Sequence, residues 1–92
     1  MYVTKNRKWG NTMPTVLRIG PYRFYFYSHD WNEPQHIHVD REDFSAKFWL
    51  KPVSLARNIG FSPKELRKIE TMVIEHQKKL MEAWNGHFST GR

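Results

Sequence analysis

Two stretches of the chain have a two-residue period of apolar and polar positions, which predicts β-strands. Across residues 44–50 every even-numbered position is apolar and alternates with Ser45, Lys47 and Trp49, so one face of the strand is apolar. Residues 22–28 are almost wholly aromatic, and the same period puts Phe24 and Phe26 on one face and the tyrosines that follow them on the other. Both stretches predict strands that bury one side against a core.

Two shorter runs extend the predicted sheet. Residues 15–19 and 36–41 are rich in residues that favour extended structure. A Gly-Pro pair at 20–21 and a Glu-Asp pair at 42–43 mark turns that join neighbouring strands into hairpins. Residues 53–61 are ambiguous between a short helix and an irregular edge segment. We therefore predict three or four antiparallel strands.

The last third of the chain predicts one long amphipathic helix over residues 63–85. Ser62 is placed to be its N-cap, a proline occupies the first helical position, and Glu65 is the glutamate of a capping box. Asn85-Gly86 predicts its end. The fold class is therefore α+β, a small antiparallel sheet packed against one long C-terminal helix. Residues at three- and four-residue steps form its apolar stripe, namely Leu66, Ile69, Val73, His76, Leu80 and Trp84.

The composition indicates one domain without a membrane segment. We expect a flexible basic extension over residues 1–12, the folded domain over 13–88, and a short tail over 89–92. No apolar run approaches the roughly 20 residues that span a bilayer, and the first twelve residues lack the apolar core of a signal peptide. The chain has no cysteine, which excludes disulfides and thiolate metal sites. A cytoplasmic location is the expectation.

The net charge of +6 is unevenly distributed along the chain. Residues 1–29 carry no acid, residues 30–43 are acidic, and residues 44–68 are again basic. A basic surface attracts phosphates or an acidic partner, although the same charge also serves solubility. Tyr22, Tyr25, Tyr27 and Trp49 are candidates for base stacking, although such rings more often belong to a core. The candidate nucleic-acid contacts are Arg18, Arg23, Lys51 and Arg57.

The segment from His36 to Asp40 has the spacing of a site with chemical function. On a strand, His36, His38 and Asp40 project to one face. Two imidazoles in this position can transfer protons around a phosphodiester, bind a divalent metal with a carboxylate, or brace a loop through buried hydrogen bonds. Pairing of the flanking strands would bring Lys47 beside them, which favours phosphate over a metal. The candidate catalytic set is therefore His36, His38 and Lys47, partly accessible to solvent, with no metal or other cofactor.

A set of residues spread along the chain forms a family-like pattern, and the segment from Pro34 to Val39 is its most specific part. The other members are Met13-Pro14-Thr15, Ala46, His76, Leu80 and Trp84. This pattern resembles a family of small bacterial proteins known as domain of unknown function 4160, and the resemblance covers about residues 13–88. Gln35 and Ile37 replace a proline and an aromatic residue of the family pattern. The resemblance implies a gene beside another small gene, in the manner of a toxin–antitoxin pair.

The leading functional hypothesis is a component of a bacterial toxin–antitoxin-like module, the basic toxin-like partner that binds or acts on RNA. It includes a possible ribonuclease activity and a small acidic partner protein encoded next to it, with homo-oligomers also possible. The alternative is a non-enzymatic protein-binding or regulatory module, antitoxin-like, with structural histidines. A third hypothesis is a metal-dependent phosphoesterase.

Overall fold

The computed structural model describes residues 15–27 and 30–89 as an antiparallel sheet covered on one face by two helices. The strands lie side by side in the order of the chain, and a short 3-10 helix at Asp30–Asn32 lies between the second and third. The predicted α+β class is confirmed, with more strands and more helices than predicted. The elements are β1 (Thr15–Ile19), β2 (Tyr22–Tyr25), β3 (His36–Arg41), β4 (Phe44–Leu50), β5 (Val53–Ile59), α1 (Pro63–Glu75) and α2 (Gln77–Ser89).

The core lies between the helices and one face of the sheet. Phe24 and Phe26 point into it, as the period of two predicts, and the even-numbered side chains of β4 do the same. Leu80 is completely buried, which confirms that the apolar stripe faces the sheet. Leu66 and His76, two other residues of that stripe, are only half-buried. The buried stripe residues are Ile69, Val73, Leu80 and Trp84.

The fifth strand, β5, is a correction to the prediction of three or four. It pairs with β4 at the edge of the sheet, with an irregularity between Lys47 and Phe48. Most of its side chains are exposed, including Leu55 and Ile59, and Arg57 interrupts the apolar residues at its odd-numbered positions, so its sequence does not mark a buried face. Periodicity reports burial, and an edge strand with little burial carries a weak signal.

The predicted single helix is two helices, with a break at His76. The backbone of His76 has φ −111° and ψ 16°, outside the helical region. Its ring Nδ1 lies 2.9 Å from the carbonyl oxygen of Met72. The backbone N–H of His76 approaches the same carbonyl oxygen, at 3.1 Å. The side chain therefore competes for the carbonyl that an uninterrupted helix would use. Beyond the break, Gln77 donates a hydrogen bond of 2.6 Å to the carbonyl oxygen of Leu50, which attaches the start of α2 to the sheet.

The predicted stop at Asn85-Gly86 is also corrected, because α2 continues to Ser89. The ring of Phe88 packs 4.4 Å from Trp84 and 5.8 Å from Phe26, between centroids. That apolar contact offsets the cost of a helical glycine, about 0.5–1 kcal/mol. Asn85 is engaged as well, since it accepts a hydrogen bond from Gln35.

The start of α1 confirms half of the predicted capping box. The hydroxyl of Ser62 accepts a hydrogen bond from the backbone N–H of Glu65, so Ser62 is the N-cap. The carboxylate of Glu65 is instead held by Arg41 of β3 and by the hydroxyl of Tyr22. The residue predicted to cap the helix therefore links the helix to the sheet.

Some predicted boundaries lie outside the described residues. These are the extension over 1–12, the domain start at Met13, and the last three residues of the tail. The second strand ends at Tyr25, whereas the prediction extended it to Ser28, which lies outside the described residues. Among the described residues, no helix has the length and apolar character needed to cross a membrane.

Candidate functional site

Four strands place one row of functional side chains on the outer face of the sheet, away from the helices. In the register of the sheet, Tyr25 is opposite His38, His38 is opposite Lys47, and Lys47 is opposite Arg57. Side chains opposite each other on antiparallel strands share a face and lie close together. The hairpin turn at residues 42–43 sets the register between β3 and β4, so Lys47 comes beside His38 as the sequence predicts.

The 3-10 helix brings Asp30 over this face next to both histidines. Its backbone N–H donates to the carbonyl oxygen of Tyr27, and its carboxylate Oδ2 accepts from the N–H of Tyr27 at 2.8 Å. This turn directs the side chain of Asp30 inwards, so that only 7% of the residue's surface is exposed. Oδ2 then lies 3.0 Å from Nε2 of His36 and 3.0 Å from Nε2 of His38. Sequence analysis missed Asp30, because nothing in its spacing shows that the loop folds back.

His36 is completely buried, which corrects the prediction that it is partly accessible. Its ring is enclosed edge-on by Trp84, at 5.0 Å, and by Trp49, at 5.7 Å between centroids. Nδ1 lies 2.8 Å from the carbonyl oxygen of Pro34 and donates to it, since a carbonyl only accepts. Nε2 faces Asp30 but is not aligned for a hydrogen bond. In the described part of the chain it is the one buried side-chain nitrogen or oxygen without a hydrogen bond.

His38 is also nearly buried, at 5% exposure, because aromatic rings cover it on two sides. The ring of Tyr25 stacks on it at 5.3 Å, and that of Tyr27 meets it edge-on at 4.8 Å. Burial lowers the pKa of His38, although the carboxylate of Asp30 opposes that effect. The imidazole is therefore neutral near pH 7 and hydrogen-bonded to Asp30.

Asp30 keeps its charge in spite of its burial. Burial alone would raise its pKa, but the hydrogen bond from Tyr27 and the two neighbouring histidines outweigh that effect and lower the pKa below its ordinary value. An ionised carboxylate only accepts hydrogen bonds. Asp30 therefore has no proton to offer to His36.

Asp40, the acid predicted to accompany the histidines, is held elsewhere. Its Oδ1 accepts a hydrogen bond of 3.0 Å from the hydroxyl of Tyr25. Burial raises the pKa of that tyrosine hydroxyl, which stays protonated as a donor. The carboxylate beside the histidines is thus Asp30, from the loop, and Asp40, from the strand, supports Tyr25 instead.

The row opens into a depression of about 340 Å³ beside the histidines. Lys47 donates a hydrogen bond of 2.6 Å to Glu33 and lies 4.7 Å from the centre of the Trp49 ring. The hydrogen bond from Lys47 lowers the pKa of Glu33. Arg57, the cross-strand neighbour of Lys47, is exposed and also lines the depression. The depression is lined by Tyr27, Asp30, Glu33, His38, Lys47, Trp49, Ala56 and Arg57.

The profile of one protein family, described as Domain of unknown function (DUF4160), matches residues 22–85. That match covers more than half of the chain. The chain belongs to the DUF4160 family. Searches of curated proteins and of solved structures found no match. The matched segment contains every residue that lines the depression, so the site lies within the DUF4160 domain.

The other predicted nucleic-acid contacts do not line the depression, and one of them, Arg18, precedes the matched segment. Arg18 and Arg23 are opposite each other on β1 and β2, and Arg23 lies over the ring of Tyr25, at 4.4 Å. Both therefore extend the outer face on the side of β1. Lys51 lines a separate hollow of about 430 Å³ that shares Trp49 with the depression. Of the four predicted arginines and lysines, Arg57 is the one that lines the depression.

Proposed function

We propose that this DUF4160 domain binds RNA on the outer face of its sheet, as the RNA-directed component of a toxin–antitoxin-like pair. The observation that supports this most directly is the meeting of Lys47, Arg57 and Trp49 in one depression. Two cations and an aromatic ring are the elements with which proteins bind single-stranded nucleic acid. Within residues 15–27 and 30–89, the helices cover the other face of the sheet and leave this face open to a large ligand.

Charge supports the same assignment. Arg18, Arg23 and Arg57 lie on the outer face in addition to Lys47, in a protein of net charge +6. Glu33 offsets the charge of Lys47 in the free protein. A phosphate that approaches Lys47 and Arg57 would compete with Glu33 for Lys47, and the exposed position of Glu33 allows its side chain to swing away.

Aromatic surface completes the proposed binding site. Trp31 follows Asp30 in the 3-10 helix that borders the depression, and 61% of its surface is exposed. Exposed tryptophan is costly in water and provides a flat surface for an unpaired base. We assign base stacking to Trp31 and to the half-buried ring of Trp49.

The geometry supports RNA binding more directly than RNA cleavage. His36 has no exposed surface, and Nε2 of His38 is held by Asp30. Direct contact of both imidazoles with a phosphodiester would require Asp30 to move away. The catalytic role of His36, His38 and Lys47 therefore stays a prediction, and we assign to His36 the task of positioning its neighbours.

Fluorescence anisotropy with a short, single-stranded RNA tests the proposal. Arg57→Gln should weaken binding about tenfold. It should also reduce the slope of log affinity against log salt concentration by about 0.7, the value for one phosphate contact on a single strand. Lys79→Gln, at an exposed position of α2, removes the same charge from the opposite side and should leave the affinity nearly unchanged. Equal losses in the two variants would reject the outer face as the binding site.

The partner proposal needs a separate experiment. Co-expression with the adjacent small gene should recover a complex of about equal stoichiometry if the neighbour is an acidic antitoxin-like protein. That protein should compete with RNA for the outer face, so Arg57→Gln should weaken both interactions. Recovery of this chain alone, or as a homo-oligomer, in the presence of an expressed neighbour would contradict the pairing.

The burial of both imidazoles favours the second candidate function, a protein-binding module with structural histidines. In that case the outer face would bind the neighbouring protein and not RNA. Affinity for the purified neighbour, without measurable affinity for RNA at low salt, is the result that would replace our proposal with this one.

A further inference from the structure

Three possible metal-binding atoms converge beneath the depression. They are Oδ2 of Asp30 and the Nε2 atoms of His36 and His38, and all three lie within 4.8 Å of one another. Oδ2 is 3.0 Å from each nitrogen. All three residues are buried, so the arrangement differs from an exposed cluster of acids on a surface.

The position of His36 leaves an unsatisfied electron pair in this cluster. Donation from Nδ1 to the carbonyl oxygen of Pro34 assigns the hydrogen of the neutral ring to Nδ1. Nε2 then carries a lone pair that faces the carboxylate of Asp30 at 3.0 Å, without a hydrogen bond. In the neutral ring these two buried acceptors repel each other unless a proton or a metal ion lies between them.

We propose that Asp30, His36 and His38 bind one divalent transition-metal ion of the Zn²⁺ class, through Oδ2 and the two Nε2 atoms. Bonds of about 2.0–2.1 Å in a tetrahedral site place neighbouring ligand atoms about 3.3 Å apart. The two separations of 3.0 Å need to open by a few tenths of an ångström, and the two Nε2 atoms, which lie within 4.8 Å of each other, need to approach to about the same distance. Two imidazoles with one carboxylate suit zinc and other first-row divalent ions better than calcium or magnesium.

The surrounding hydrogen bonds match the needs of such a site. Imidazole ligands commonly donate their second N–H to a backbone carbonyl, and Pro34 supplies that acceptor for His36. The backbone N–H of Tyr27 orients the carboxylate of Asp30. His38 needs only to transfer its ring hydrogen from Nε2 to Nδ1 when the ion binds.

The fourth coordination position would open towards solvent. Asp30 and His38 line the depression, whereas His36 lies behind them. Three protein ligands with one open position are the pattern of a catalytic metal site, in which water or a substrate oxygen completes the coordination. Lys47 lines the same depression, and its ion pair with Glu33 offsets its charge. Metal binding is independent of the proposed RNA affinity and goes beyond it.

Calorimetric titration of chelator-treated full-length protein with Zn²⁺ near neutral pH tests the proposal. We expect one ion per chain, a melting temperature that rises with Zn²⁺ and falls again with EDTA, and d–d absorption typical of a four-coordinate site with Co²⁺. His36→Gln should lower the affinity by more than the roughly 10–100-fold typical of changes around a metal site. His87→Gln, an exposed histidine of α2, is the matched control and should bind normally.

Asp30→Asn keeps the test valid if His36→Gln fails to fold. The amide oxygen can take the place of Oδ2 and still accept from the backbone N–H of Tyr27 and from Nε2 of His38, with a side chain of the same size. The variant should therefore fold without metal and lose the response to Zn²⁺. Absence of Zn²⁺ binding to the folded native protein, undiminished binding in Asp30→Asn, or an equal loss of binding in His87→Gln would overturn the metal site. The RNA assay with Arg57→Gln is scored separately, so either proposal can fail without the other.

Discussion

Arg41 and Glu65 form a bidentate ion pair between β3 and the first turn of α1. Nε of Arg41 lies 2.6 Å from Oε2, and Nη2 lies 2.8 Å from Oε1. Tyr22 adds a third hydrogen bond, of 2.6 Å, to Oε2. The guanidinium also lies over the rings of Phe44 and Phe61, at 5.0 and 5.8 Å. Planar, bidentate pairing of this kind is specific to arginine, and it fixes the helix to the sheet.

This ion pair predicts a loss of stability in acid. The hydrogen bonds from Arg41 and then from Tyr22 lower the pKa of Glu65 from 4.5 to about 2. Between these values the unfolded chain binds more protons than the folded one. The contribution of the ion pair to the free energy of unfolding is therefore present above about pH 4.5 and is lost as the pH falls towards 2. Urea unfolding across this range should show a flatter pH dependence for Glu65→Gln than for the native chain. The exposed Glu75→Gln is the control, and equal flattening in both variants would contradict the assignment.

Leu80 tests the packing of α2 on the sheet. Its side chain is completely buried in the core, so Leu80→Ala should reduce the free energy of unfolding by about 2–5 kcal/mol. Ile74→Ala removes a similar side chain that is 55% exposed on α1 and should cost much less. Chemical denaturation measures both variants, and a loss at Leu80 no greater than that at Ile74 would show that α2 packs differently.

The histidines are predicted to contribute to stability as well as to the site. In the presence of a chelator, His38→Ala should cost about 1–3 kcal/mol, because the buried carboxylate of Asp30 loses a donor. His36→Ala should cost a similar amount, because the carbonyl oxygen of Pro34 loses its donor. Thermal unfolding gives both values. If both variants keep their stability within about 1 kcal/mol and abolish the growth arrest that expression of a toxin would cause, the catalytic hypothesis is favoured over the structural one.

The lowered pKa of His38 adds a second pH dependence, which lies above that of Glu65. Its burial disfavours the charged ring, so the unfolded chain binds a proton more readily below the ordinary value of 6.5. Stability is therefore complete above about pH 6.5 and declines as the pH falls below it. The free energies of unfolding of the native chain and of His38→Gln should diverge as the pH falls through this range. Parallel curves of free energy against pH would contradict the assignment.

Gly60 is required where β5 turns into α1. Its φ is +99°, and a Cβ there would lie 2.5 Å from Cδ1 of Phe44. Gly60→Ala should therefore cost about 2 kcal/mol or more, from backbone strain and the displaced ring. Gly20 also has a positive φ, of 56°, but open space around it. Gly20→Ala should show the backbone cost alone, and an equal loss of melting temperature in both variants would rule out the contact with Phe44.

Local patterns in the sequence predicted most of the fold and one pair of neighbouring residues in the site. The period of two located the apolar faces of β2 and β4, and Ser62 marked the start of α1 because an N-cap interacts with its own first turn. The proximity of Lys47 to His38 was also predictable, since a two-residue turn determines the register of its hairpin. Each of these features depends on residues that are close together in the chain.

The sequence by itself determined which side of each strand is apolar, where the hairpins turn, and that His36 and His38 share a face. Tertiary structure alone decided that Asp30, and not Asp40, is the acid beside them, and that both imidazoles are buried. It also decided that the helix breaks at His76 and that an edge segment becomes β5. The reason is physical: periodicity records the direction in which a side chain points from its own element. What that side chain meets depends on how loops close and on how separate elements pack, and neither is encoded in spacing along the chain.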